Sequence, residues 1–339
     1  TYATTEKTGS PSFTKNFLST HNHPVVKSIA KAREINKAHT TFIDTILKHQ
    51  YRGRIHADIN PIRSDQGGTV TGRFSYSNPN LQQIPARNKD LGPMIRSLFI
   101  PEKNHKWGCF DYSQQEPRLV VHYAATTEPI CFDTSVSSIV NKFKDDTVDF
   151  HQTVADMANI SRTQAKTINL GLFYGMGKAK LQAELGLNTK EEAEELFNTY
   201  HTNVPFVRDL MNYTSKTAQT SGSIGTLLGR RCRFNKWEPN QFGMHKPMDF
   251  EEADRTYGRN RIRRAFTYKA LNKLIQGSAA DMTKKAMVDL YREGVIPHIQ
   301  IHDELDISVE SDDAAKKIID IMENAVSLEV PNKVDYESG

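Results

Sequence analysis

Two aspartates define the chemistry open to this chain. Asp111 lies in Trp107-Gly-Cys-Phe-Asp111-Tyr-Ser-Gln-Gln-Glu116, and Asp303 lies in Ile299-Gln-Ile-His302-Asp303-Glu304-Leu305. Each interrupts an apolar alternation of the kind a strand shows, so each is expected at a strand end or a bend. Phosphoryl transfer with two divalent cations needs carboxylates drawn together from separate parts of a chain. Mg2+ is commonly held by one or two carboxylates with waters and substrate phosphates. Neighbouring strands run ~4.8 Å apart, so two such positions on adjacent strands can share a metal pair. Taken singly, an aspartate at a strand end is a turn residue, and it is the joint context that gives this pair weight. Glu304 either tunes a metal site or is a solvated hairpin residue. Glu116 completes Ser113-Gln-Gln-Glu116, which fits a capping box at a helix start and on that reading only bonds backbone.

Between the aspartates, Ser161-Arg-Thr-Gln164 is a second capping-box pattern and predicts a helix start. Arg162, Lys166, Leu170 and Tyr174 follow at steps of four, forming one drifting stripe. Two cations near a helix N-terminus add to its partial positive charge and suit an anion with several phosphates. Arg can fork onto a terminal phosphate, Lys acts as a point charge, and an aromatic beyond them can meet a base or sugar. The alternative is an amphipathic surface helix with routine cations.

These residues need a scaffold, and 339 residues with 37% hydrophobic and 25% charged content describe an ordinary globular chain of about two domains. The net charge of +4 does not by itself establish a nucleic-acid partner. Arginines cluster at Arg230, Arg231 and Arg233 and at Arg259, Arg261, Arg263 and Arg264, and acids at Glu191, Glu192, Glu194 and Glu195. Solvated helix faces are the competing account of such runs. Cys109, Cys131 and Cys232 show no paired spacing, which argues against a disulfide framework or zinc site and fits a reducing compartment. No apolar run reaches the ~20 residues of a membrane span, and the N-terminus has no signal-peptide pattern. The missing initial Met suggests a fragment or processed form. Helix is expected over 23–49, strands over 95–100 and 106–110, and a helix with Pro117 in its first turn. Helix is also expected through 149–221, then a turn and long surface loop over 222–260, helix over 262–292, a strand pair over 295–309 and a last helix over 312–328. The sum is an α+β protein with a helical insertion.

Read together, the segments resemble the A-family DNA polymerases. Asp111-Tyr-Ser-Gln-Gln-Glu-Pro-Arg118 looks like the family's first catalytic motif. Arg162-Thr-Gln-Ala-Lys166-Thr-Ile-Asn-Leu170-Gly-Leu-Phe-Tyr174-Gly looks like its nucleotide-binding helix, and His302-Asp303-Glu304 like its last motif. Thr71-Gly-Arg73-Phe-Ser and Asn80-Leu-Gln-Gln-Ile-Pro-Ala-Arg87 match the segment lying against the primer-template. Asn272-Lys-Leu-Ile-Gln276-Gly-Ser-Ala-Ala-Asp281 matches a DNA-contacting helix. The order is the family's, and the long 235–260 insertion and Gln-Gln-Glu-Pro wording are closer to phage enzymes than bacterial ones.

The resemblance implies a right-hand polymerase fold with an antiparallel palm sheet, helical fingers and a partial helical thumb. It puts the thumb end at 1–50, the palm at 51–125 and 265–339 and the fingers at 126–264, with no proofreading domain. It implies a DNA-directed DNA polymerase acting on primer-template DNA and deoxynucleoside triphosphates in phage replication, in the host cytoplasm or nucleoid, with no membrane partner. Asp111, Asp303 and the Tyr112 carbonyl would hold two Mg2+ ions, with Mn2+ able to substitute. One ion would lower the pKa of the primer 3′-hydroxyl and the other would bind the triphosphate. Lys166 would stabilise the transferring phosphate, with Glu304 beside the metal site. Arg162 would hold the terminal phosphate, with His151 and Gln114 nearby. Tyr174, bonded to Glu116, would stand by the templating base and exclude a ribose 2′-hydroxyl. Arg73, Asn272 and Gln276 would touch minor-groove edges, where acceptors shared by correct pairs report pair shape. Asn80 and Arg87 would meet backbone phosphate, and His302 the primer terminus. Two departures stand out: Leu170, where the family carries Phe or Tyr, implies looser stacking on the incoming nucleotide, and Tyr268 replaces a bacterial Arg. Competing readings are an RNA polymerase or reverse-transcribing relative, which the Glu116–Tyr174 pair opposes in the first case, and a non-catalytic nucleic-acid-binding module, which the intact acids and cations oppose.

Overall fold

Period-two alternation is clearest in four short segments, and these form the central antiparallel sheet. They are β1 (Lys106–Tyr112), β2 (Ile299–Ile301), β3 (Glu304–Val309) and β4 (Val334–Ser338), in the order β2-β3-β1-β4. The computed structural model describes residues 3–5, 8–64, 67–85, 88, 90–145, 149–173, 178–241, 243 and 245–339, with backbone alone for Ala3, Lys15, Asn16, Leu170, Leu172 and Phe173. Two compact units result: residues 1–60 with 75–100, and residues 61–74 with 101–339.

In the larger unit the sheet register sorts side chains by face. Asp111 pairs with Glu304 on one side and Asp335 on the other, and Cys109 with Asp306 and Glu337. Those polar side chains therefore share one face. Phe110, Tyr112, Leu305, Ile307, Val309 and Val334 lie on the other and are buried in the main core. Phe110 stacks on Tyr336 at 4.8 Å, and the Tyr112 hydroxyl donates to the Met322 carbonyl at 2.6 Å. Helices cover that face. α1 (Gln115–Thr126) follows β1, α2 (Phe150–Ala158) and α3 (Arg162–Phe173) pack on each other, and α4 (Ala270–Arg292) and α5 (Asp312–Glu323) flank the β2–β3 hairpin in sequence. Leu271, Leu274, Ile275, Ser278, Met282, Ala286 and Leu290 recur on α4 at helical spacing and are buried.

The smaller unit is built on Pro24–Lys37, continued by a π-helical turn Ala38–Ile43 and Asp44–Lys48. Pro24 follows the His23 cap, where its missing N–H costs little. Ala38, Phe42 and Ile46 pack with Ile95, whereas Val25, Ile29 and Ile35 are exposed.

Three expectations are corrected here. Residues 95–100 are not a strand: Leu91–Arg96 is a helix, begun by Asn88, whose side-chain Oδ1 accepts from the Asp90 and Leu91 amides. Of that apolar run only Ile95 is deeply buried, while Leu98 and Ile100 are exposed, so run length misled. Residues 222–260 are not a long loop. Ser223–Gly225 pairs with Arg231–Arg233, Trp237–Pro239 pairs with Ile262–Arg264, and Phe250–Tyr257 is a helix. The long helix starts at Ala270 rather than 262, because Ile262–Arg264 is taken by that strand pairing. Short elements held by cation–ring contacts leave little periodic signal.

Candidate active site

Asp111 is the penultimate residue of β1, and Asp303 sits in the β2–β3 turn, reached through His302 at φ +58°. A non-glycine residue in the left-handed region is uncommon, and the turn is tied down. Gln300 Nε2 donates to the His302 carbonyl at 2.5 Å, and the Tyr112 amide donates to the Asp303 carbonyl at 3.3 Å. This places the Asp303 turn against the end of β1, with Glu304 directly across from Asp111.

The electrostatics follow from the crowding. Burial, then the charges of Asp303, Glu304, Asp335 and Glu337, push Asp111 up to about 7. Burial raises Asp303 too, against the opposing pull of Arg73. Asp111 Oδ1 is buried with no hydrogen-bond partner among the described residues. A buried carboxylate oxygen without a donor, ringed by like charges, costs free energy unless a cation meets it. The oxygen donors present suit a hard divalent ion. Cys109, whose thiol lies within 4.8 Å of Glu304 and Asp306 ligand atoms, does not change that. Burial and the Asp306 and Glu304 charges push it up to about 12, so it stays a protonated thiol.

Glu116 does not close the expected capping box. Gln114 is the residue before α1, in the left-handed conformation at φ +54°, and makes no side-chain cap. Glu116 instead accepts from Arg73 Nη2 at 2.7 Å. Burial raises its pKa, which Arg73 opposes. Arg73 also acts on Asp303 and His302, so Arg73, Glu116, His302 and Asp303 form one group. Burial, then Arg73, lowers the His302 pKa.

The second group lies at the starts of α2 and α3. Ser161 and Gln164 form the expected reciprocal box: the Ser161 amide donates to Gln164 Oε1 at 3.0 Å, and the Gln164 amide donates to Ser161 Oγ at 3.2 Å. Asp149 caps α2, accepting from the His151 and Gln152 amides, and its other oxygen receives Arg162 Nε at 2.8 Å and Nη2 at 2.5 Å. Partial burial opposes the shift, but those bonds hold Asp149 below the usual carboxylate range. Lys166, one turn on, is exposed. Burial lowers the His151 pKa, helped by the Lys166 and Arg162 charges. Gln114 Oε1 accepts from the Phe150 amide at 2.7 Å, joining this group to the end of β1.

His151 has a fixed tautomer. The buried Tyr200 hydroxyl donates to Asn169 Oδ1 at 2.5 Å, which turns Asn169 Nδ2 to His151 Nδ1 at 3.1 Å. Nδ1 therefore accepts, and the proton of the neutral ring sits on Nε2.

On α4, Asn272 Nδ2 is a buried donor without a partner among the described residues, and Gln276 is half-buried on the same helix. Asn80 lies in the smaller unit and caps the turn Leu81–Gln83, accepting from the Gln82 amide. Leu170 is on α3 with its backbone alone described, and Tyr174 and Arg87 lie outside the described residues. Sequence reasoning passed over Asp149, Asp306, Asp335 and Glu337. The last three were readable as alternating acids in Glu304-Leu-Asp-Ile and Val334-Asp-Tyr-Glu. It also missed that Arg230 is structural: Nε reaches the buried Asp281 at 3.1 Å and Nη2 the Gly277 carbonyl at 2.8 Å. A Cβ at Gly277 would stand 3.1 Å from that nitrogen and 2.6 Å from Thr226 Cγ2.

The family model "DNA polymerase family A" matches residues 1–339. A DNA-directed DNA polymerase of Pseudomonas phage M6 is 36% identical over 375 residues, covering 98% of this chain and 53% of that protein. A thermostable DNA polymerase I of Thermus filiformis is 34% identical over 355 residues, covering 99% of this chain and 38% of the relative. Among solved structures, the POL domain of Pol1 from M. smegmatis, in complex with DNA primer-template and dNTP, matches with TM-score 0.77 at 26% identity. The match covers 99% of this chain and 57% of that one. The chain thus spans about half the length of its phage relative, and its helices and small antiparallel sheets are those of an α+β polymerase domain. No helix among the described residues is long and apolar enough to cross a membrane. The chain belongs to DNA polymerase family A.

Proposed function

We propose that this chain extends a primer 3′-hydroxyl with deoxynucleotides chosen by a DNA template, releasing pyrophosphate, in the replication of phage DNA. The observation that carries this reading is the orphaned, charge-crowded Asp111 carboxylate beside the Asp303 turn. Primer extension with Mg2+ tests it: full-length product is expected, and duplex binding without extension would overturn it. The thumb end is assigned to 1–50, the palm to 51–125 and 265–339, and the fingers to 126–264.

A-family polymerases use divalent metal ions, and two Mg2+, replaceable by Mn2+, fit the oxygen donors of Asp111, Asp303 and the Tyr112 carbonyl, with Glu304 alongside. Ions held there would supply activation of the 3′-hydroxyl and charge neutralisation on the triphosphate. Lys166 and Arg162 offer two cations at one helix start, where backbone N–H groups also favour phosphate. His151 presents its Nε2 proton as a neutral donor, and Gln114 fixes the start of α2 against β1. Leu170 and Tyr174 are assigned to the base and sugar of the incoming nucleotide. Asn272, Gln276, Arg73 and His302 are assigned to the primer end, and Asn80 and Arg87 to backbone phosphate.

Asp111 also gives a pH signature. Its folded value of about 7 lies above the ordinary 3.8. Without metal its contribution to stability is therefore intact at low pH and is lost as pH rises through about 7. A cation relieves that repulsion only once the proton has left. Mg2+ is expected to raise Tm strongly at pH 8.5 and little at pH 5.5, with Asp111→Asn removing the difference. An equal Mg2+ shift at both pH values would remove this assignment.

Glu116, fixed by Arg73, is the candidate barrier to a ribose 2′-hydroxyl. Glu116→Ala is expected to raise the ribonucleotide-to-deoxynucleotide kcat/KM ratio by on the order of 100-fold. Equal use of both sugars by the unaltered protein would show that Glu116 is no gate.

A further inference from the structure

Residues 230–264 hold ten Lys or Arg against five Asp or Glu, a net +5, whereas the whole chain is +4. The positive charge of the protein is thus concentrated in this segment, and it is interleaved with aromatic rings. Asn235, Trp237, Phe250, Arg259, Asn260 and Arg264 line an open groove of about 700 Å3. Trp237 and Phe250 meet edge to face at 5.0 Å. The Arg264 guanidinium lies 4.6 Å over the Trp237 ring, and that of Arg259 5.7 Å over Phe250.

Two of the five acids in the segment are engaged by basic side chains, and the other three, Glu251, Glu252 and Asp254, lie on the helix Phe250–Tyr257. Glu238 is paired with Arg263 at 3.0 Å and Asp249 with Lys236 at 2.8 Å. Glu251 and Glu252 begin the helix Phe250–Tyr257. Rings, guanidinium groups and amide side chains in one groove are what an unpaired nucleic-acid strand requires: π-faces for bases, cations for phosphates and amides for base edges.

Contacts of Lys273 and Arg264 with Arg233 and Phe234 link the groove to α4. Lys273, next to Asn272, sits 4.1 Å over the Phe234 ring and bonds the Arg233 carbonyl, and the Phe234 carbonyl accepts from Arg264 Nη1 at 2.9 Å. A path of cations and rings therefore leads from the proposed primer-end contacts to Trp237. We infer that this groove binds the unpaired template strand ahead of the primer terminus, stacking a base at Trp237–Phe250 with Arg259 and Arg264 on its phosphates. This rests on the proposed polymerase function. That reaction always presents an unpaired template strand, whereas a displaced strand is present only on some substrates.

Trp237 can report its own occupancy, because the chain has two tryptophans and Trp107→Phe leaves only this one. The probes are a primer-template with a ten-thymidine 5′ template overhang, the same duplex blunt-ended, and a nicked duplex with a displaced strand. Trp237 emission is expected to be quenched by the overhang and not by the blunt duplex. Arg259 is exposed, so Arg259→Glu should fold, and it is expected to weaken overhang binding by on the order of 10-fold. Blunt-duplex affinity and single-nucleotide addition on a one-base overhang should be unchanged. Trp237→Phe, which keeps a ring against Phe250, should weaken the overhang preference less than Trp237→Ala. No quenching by the overhang, quenching by the displaced strand only, or an equal loss of blunt-duplex affinity in Arg259→Glu would each overturn the inference. If extension were absent while the overhang still quenched Trp237, the function would fail and this site would stand.

Discussion

Asp111→Asn or Asp303→Asn is expected to lower primer extension by about 10³-fold or more, which is ~4 kcal/mol of transition-state stabilisation at ~1.4 kcal/mol per tenfold. Primer-template affinity should change by no more than about twofold, because Asn keeps the size and removes only the charge that cations would meet. The same substitution carries a second expectation with the opposite sign. Asp111 is buried beside Asp303, Glu304, Asp335 and Glu337, and one of its oxygens has no donor among the described residues. Removing its charge relieves repulsion, so Asp111→Asn should melt higher than the unaltered protein at pH 8 without divalent metal. A residue kept for packing would lose stability when replaced, while one kept for function can gain it. Steady-state extension, a DNA-binding titration and thermal melts in chelator measure the three quantities. Extension near the unaltered rate in either variant would defeat the metal assignment, and a lower Tm for Asp111→Asn in chelator would show that the crowding is compensated by contacts.

Asp111, Asp303 and Glu304 were legible because strand alternation and the His302-Asp303-Glu304 break are short-range patterns, whereas Asp306, Asp335 and Glu337 were passed over. What the sequence hid was pairing between distant segments. Ser113-Gln-Gln-Glu116 satisfies a local capping rule, yet Gln114 takes a left-handed backbone and Glu116 goes to Arg73, 43 residues away. Ser161–Gln164, with the same local signature, caps as expected, since no distant partner among the described residues takes its side chains. The insertion was opaque for a related reason. Its strands are three residues each, and its cohesion comes from Arg264 on Trp237 and Trp237 on Phe250, contacts that have no period in the chain. Residues 95–100 show the converse, with an apolar run whose members are mostly exposed.

Arg162 shows how a distant partner changes a functional expectation. Its position at the start of α3 suits a terminal phosphate, yet its Nε and Nη2 both lie on Asp149. A triphosphate must therefore compete with a carboxylate for the same guanidinium. Arg162→Ala removes a charge-assisted pair of bonds and should raise KM for deoxynucleotides by about 10-fold to 100-fold. Asp149→Asn should act the other way. Asn is as good a helix cap as Asp, so α2 should keep its start while the competing charge is lost. The Asp149–Arg162 pair is half exposed, so the gain is small: KM should fall by about twofold to fivefold. In the double variant the Asp149 effect should vanish, because it acts only through Arg162. Steady-state kinetics with one nucleotide at saturating primer-template distinguish the cases. A KM that rises in Asp149→Asn alone would mean that Asp149 positions Arg162 for the phosphate rather than withholding it, and a KM indifferent to Arg162→Ala would move the terminal phosphate to another cation.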